Sequence, residues 1–83
     1  MSLENAIADL TARIKAVSQQ AVIRVKRRSD EEASIRVYAP VDQETAIKAA
    51  TQEITLNLLT NEGLDVQVLV YDIATSLPPT ESA

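Results

Sequence analysis

The chain has 83 residues, 46% of them apolar and 24% charged, which bounds it to one small globular domain. It has no Cys and no His, so disulfides, thiolate or imidazole metal sites and imidazole catalysis are excluded. Twelve acids against eight bases give a net charge of −4, which argues against a generic polyanion binder.

Tyr38 and Tyr71 are the only aromatic residues, so the core must be built from Val, Ile, Leu and Ala. The start, Met1-Ser2-Leu3-Glu4-Asn5, is acidic where a signal peptide is basic. No run approaches the ~20 apolar residues of a membrane span. The expectation is a cytoplasmic chain with no membrane partner.

From Ser2 to Gln19, Leu3, Ala6, Ile7, Leu10, Ile14 and Val17 recur at spacings of three and four. That period predicts an amphipathic helix, with Ser2 as N-cap. From Ala21 the period changes to two. Ile23 and Val25 alternate with Arg24, Lys26 and Arg28, which predicts a half-buried strand. Ser29-Asp30-Glu31-Glu32 reads as a polar turn. Alternation then resumes, with Ile35 and Val37 on one face and Ser34, Arg36 and Tyr38 on the other. Two such strands predict an antiparallel hairpin, and the lack of Asn-Gly or Asp-Gly favours a loop longer than two residues.

Pro40 ends the second strand and Asp42 is the expected N-cap of a second helix. Ile47, Ala50, Ile54 and Leu58 line one side of it, while Leu56 and Leu59 fall elsewhere. Gly63, the only glycine, suits a left-handed C-cap. In the third strand, Leu64 to Ile73, Leu64, Val66, Val68 and Val70 are expected inward and Asp65, Gln67, Leu69 and Tyr71 outward. Residues 76–83, with Pro78 and Pro79, are expected to form a disordered tail after a single α+β domain at 1–75.

The order α-β-β-α-β predicts an α+β two-layer sandwich: a three-stranded mixed sheet with both helices on one face. A right-handed crossover through the second helix makes the second and third strands parallel. The preferred strand order places the first strand in the middle, 2-1-3. Pairing Val25 with Val37 sets Lys26 opposite Arg36 and Arg24 opposite Tyr38.

A two-layer fold leaves the other sheet face open. On this register it carries Arg24, Lys26, Arg28, Arg36, Tyr38, Leu69 and Tyr71, which are the candidate partner-binding residues. Like charges directly opposite destabilise a sheet by up to about 1 kcal/mol, so such a pair in an acidic chain points to an anionic partner. The plain alternative is a solvated face, because Lys and Arg on strands keep sheets soluble. Self-association is the second reading. Leu69, Tyr71 and Tyr38 can seat against a second copy, with Asp30, Glu31 and Glu32 answering the arginines, and Leu56 with Leu59 offers another dimer surface. RNA is the third, since stacking tyrosines flanked by Arg and Lys are the right residue types. An acidic protein would be recognised by the same cations.

Enzyme readings have little to stand on. The adjacent acids Asp30-Glu31-Glu32 lie in a turn, where carboxylates are solvated and poor acids or bases. One glycine cannot make a Walker A motif, a nucleophile elbow or a dinucleotide-binding loop. No catalytic residue, metal site or cofactor is expected. The reading is a small non-enzymatic interaction or assembly module, homodimeric, with RNA or other anion binding through the same face as the alternative.

Overall fold

The structure is a computed structural model that describes residues 2–75. The tail expected at 76–83 lies outside the described residues. Helix α1 spans Leu3–Val17. Its Ser2 cap works as the sequence suggests: Ser2 Oγ accepts the Asn5 N–H at 3.2 Å. Leu3, Ala6, Ile7, Leu10 and Ile14 form the buried stripe. Val17, expected on that stripe, is exposed because the helix stops there. The buried residue at this end is Ser18, which caps the helix through its N–H on Ile14 O (2.8 Å). Its hydroxyl meets the Gln43 side chain.

Strands β1 (Val22–Arg27) and β2 (Glu32–Ala39) form the hairpin. The link is the four residues 28–31, and the N–H groups of Arg28 and Ser29 both donate to Glu32 O, at 2.9 and 3.3 Å. This tight closure sets the register. Val25 pairs with Ile35, Arg24 with Arg36 and Lys26 with Ser34. The expected pairing of Lys26 with Arg36 is therefore wrong by two residues. A slip of two preserves the faces, so the side chains still point where the alternation puts them.

After Pro40 the chain makes a 3₁₀ turn at Val41–Gln43 before helix α2, Glu44–Asn57. Asp42 lies inside that turn and does not cap α2; the residue at the cap position is Gln43, with no side-chain cap bond. The extra turn forms because Gln43 N–H donates to Pro40 O at 2.9 Å, a backbone bond that does the work expected of the Asp42 side chain. Helix α2 continues into one π-helical turn, Leu58–Glu62. Leu58 O accepts from both Gly63 and Leu64, and Gly63 sits at φ +68° as the left-handed cap. Strand β3, Asp65–Asp72, follows.

The sheet order is β1-β2-β3, with β1–β2 antiparallel and β2–β3 parallel. The expected order, with the first strand central, is corrected: β2 is the central strand. The physical reason lies in the side chains. Ala33, Ser34, Ile35, Val37, Tyr38 and Ala39 of β2 are buried, on both faces of the sheet. No β1 residue is fully buried, and its Arg24, Lys26 and Arg27 suit an edge.

One hydrophobic cluster joins the α1 stripe and Ile47 and Leu58 to Ala33, Ile35, Val37 and Ala39 of β2 and Val66 of β3. Ile23, Ile54, Val68 and Val70 pack against it while partly exposed. The sheet residues in this cluster all belong to one alternation set, so the core takes one face of the sheet. Among the described residues no helix is long and apolar enough to cross a membrane.

Candidate functional site

The face of the sheet away from the core is organised in rows, because residues paired across strands share a face. One row is Val22–Tyr38–Tyr71, the next Arg24–Arg36–Leu69, and the third Lys26–Ser34–Gln67. The last is Glu32 beside Asp65, with Arg28 next to Glu32 through their backbone bond. By register, Arg24, Lys26, Arg36, Tyr38, Leu69 and Tyr71 stand on this side, while Arg28, just past β1, borders hollows on both sides, one with Glu32 and Asp65 and one with Glu4 and Arg27. They do not form one uniform patch.

Arg24 and Arg36 are directly opposite each other at the centre. Lys26 lies two residues along, roughly 7 Å away at ~3.3 Å per residue, and Arg28 roughly 13 Å away. Arg28, Glu32, Ser34, Asp65 and Gln67 line one small hollow. Two carboxylates therefore stand near Arg28, and the cations in the middle rows of this face are Arg24, Arg36 and Lys26.

The central arginines are held against the sheet. Both are half-buried. An Arg24 terminal nitrogen donates to Ile23 O at 3.2 Å. Arg36 Nε is shielded from solvent and meets no acceptor among the described residues. A buried donor without an acceptor costs about 1–3 kcal/mol.

The two tyrosines stack, with ring centroids 5.3 Å apart and planes 22° apart. This offset geometry stabilises the pair by about 0.5–1.5 kcal/mol beyond area burial. Tyr38 is only 6% exposed, whereas Tyr71 and Leu69 are each 36% exposed. The pair thus offers one accessible ring, at the β3 side, and not a two-ring platform.

Two features were not read from the sequence. Arg27, adjacent to the candidate cations, points to the other side and pairs with Glu4 of α1 at 3.0 Å. Its odd place in the alternation was the available signal. The second is a groove of about 440 Å³ between α2 and β3, lined by Lys48, Gln52, Thr55, Val66, Val68 and Leu69. Leu56 and Leu59, noted as off the main stripe of the helix, stand exposed at the neighbouring hollow beside Asp65 and Val66. No protein-family model matches the chain, no curated protein matches its sequence, and no solved structure matches its fold.

Proposed function

We propose that the chain is a small non-enzymatic interaction module that works as a homodimer and offers the basic centre of its sheet to an acidic protein segment. The observation that carries this is the Arg24–Arg36 pairing, with Lys26 beside it, in a chain of net charge −4. Arginines paired directly across two strands on a firm backbone supply guanidinium groups whose planar donors match carboxylates in a bidentate manner. Leu69 and the exposed ring of Tyr71 border the pair and supply apolar contact.

RNA is the less favoured partner. Base stacking needs accessible rings, and Tyr38 is buried under Tyr71 and its neighbours. The test is fluorescence anisotropy with a labelled hexaglutamate peptide and, separately, a labelled single-stranded RNA hexamer, each titrated with the full chain in low salt. The peptide is expected to bind, and Arg36→Glu is expected to weaken it at least tenfold. Preferential binding of the RNA would move the face to the nucleic-acid reading, and binding of neither would remove the anionic-partner reading altogether.

A further inference from the structure

The outer side of β3 is a row of backbone hydrogen-bonding groups, and two bonds fix which residues supply it. Asp65 N–H donates to Glu31 O at 2.8 Å and Ile73 N–H to Ala39 O at 3.0 Å. Amide directions alternate along a strand, so the odd-numbered residues turn their N–H and C=O groups to β2. Val66, Val68 and Val70 therefore turn theirs outward, where no strand pairs with them among the described residues.

We propose that this edge pairs antiparallel with β3 of a second copy, giving one six-stranded sheet; the inference rests on the homodimer reading and names its seam. Three observations select a second copy as the occupant. The first is the lack of any guard: between Asp65 and Asp72 the strand has no charge, no Pro and no Gly. The second is self-complementarity. With a two-fold axis at Val68, that residue meets the second copy's Val68, and Val66 meets the second copy's Val70. Every member of these pairs has its backbone groups outward, so N–H meets C=O throughout. Asp65 then faces the second copy's Tyr71 and not another acid, and both copies keep their core sides on the same side of the sheet.

The third observation is the groove above the edge. Lys48 borders Val68, while Leu59 borders Asp65 and Val66, so α2 runs antiparallel to β3. The same two-fold axis lays the two α2 helices side by side. It sets Lys48, which borders Val68 at the axis, near the second copy's Lys48, and turns Leu56 and Leu59, 60% and 52% exposed, toward the N-terminal end of the second copy's helix. Closure follows from the other strand: the outer ends of the six-stranded sheet would be the two β1 edges, whose Lys and Arg discourage further addition. Both Arg24–Arg36 pairs would then lie on one continuous face, which makes the anionic site bivalent.

Light scattering and amide hydrogen exchange on the full chain test this together. The expected mass is twice the 9.0 kDa of one chain. The Val66, Val68 and Val70 amides should be protected to the same degree as those of Gln67 and Leu69. Val68→Pro removes an outward N–H and should give a folded monomer by circular dichroism, and Arg36→Glu should leave the dimer intact. If Val68→Pro fails to fold, the exchange pattern still decides. A dimer whose Val66, Val68 and Val70 amides exchange at solvent rates overturns the seam and leaves the homodimer reading standing. A monomer with exchanging amides overturns both. A monomer with those amides protected assigns the edge to the chain's own residues 76–83 and also overturns the second copy.

Discussion

Strands β1 and β3 are the two edges of one sheet, and their outer sides differ in chemistry. Strand β1 is six residues long and includes Arg24, Lys26 and Arg27, with Arg28 just beyond. Strand β3 is eight residues long and has no charge between its terminal aspartates. An exposed ladder edge is a template for another strand, and Lys and Arg are the usual protection. The charges of β1 thus serve two ends at once. Arg24 and Lys26 stand on the sheet face away from the core, and the same charges discourage outward pairing of the strand. Strand β3 has no comparable protection, which is why the seam is proposed there.

The largest effects belong to the strand that both edges share. Ile35 of β2 is fully buried, whereas Val25, its partner on β1, is 43% exposed. Ile35→Ala should cost roughly 2–5 kcal/mol of unfolding free energy, against a total of roughly 5–15 for a domain of this kind. Val25→Ala should cost less than about 1 kcal/mol, because its site is already open to water. Urea denaturation of the two variants measures both. Equal losses would mean that β1 is packed more like a central strand than its exposure indicates.

Proline scanning separates the two sides of β3 itself. Leu69 turns its amide to β2 by the alternation that Asp65 and Ile73 establish. Leu69→Pro should therefore orphan a carbonyl inside the sheet and cost roughly 2–3 kcal/mol. Val68→Pro keeps every internal ladder bond, so a monomer should lose distinctly less. Chemical denaturation at concentrations low enough to keep the chain monomeric gives the contrast. A larger loss for Val68→Pro would invert the phase of the strand and remove the outward row.

How far the sequence already contained this comparison differs from element to element. The spacings of three and four found the α1 stripe through Ile14, and the period of two put Arg24, Arg36, Tyr38 and Tyr71 on one face. Period says which side a residue takes and is silent on which strand lies next. Strand order depends on which strand can be buried on both faces, and the small residues Ala33, Ser34 and Ala39 were the clue. The cluster of cations on β1 was read as a binding face when it also marks an edge. The hairpin register was missed because it is set by the Arg28–Glu32 closure, a backbone bond with no side-chain signature. The π-helical turn at Leu58–Glu62 was not legible for the same reason, although its end at Gly63 was.

The sheet face away from the core allows stability and recognition to be separated. Arg36→Glu converts a like-charge pair with Arg24 into an attractive one, so stability should rise by roughly 0.2–1 kcal/mol. Binding of the acidic peptide should fall in the same variant. A thermal melt that moves down would mean that the Arg36 stem contributes more by covering Tyr38 than its charge takes away.

The smallest expected effect concerns how β1 is tied to the rest of the domain. Arg27 alternates to the core side and reaches Glu4 in the first turn of α1, at 3.0 Å, with both side chains more than half exposed. Exposed pairs of this kind contribute about 0–1 kcal/mol, and the interaction is screened as the Debye length falls to about 3 Å in 1 M salt. Glu4→Gln should then lower stability by no more than roughly 0.5 kcal/mol, and less at high salt. If the loss were larger and persisted in 1 M salt, the tie would be holding the β1 edge in place through geometry. The two edges would then differ in anchorage as well as in charge: β1 fastened to α1 by a side-chain pair, and β3 held by its ladder to β2 and by the packing of Val66 in the core.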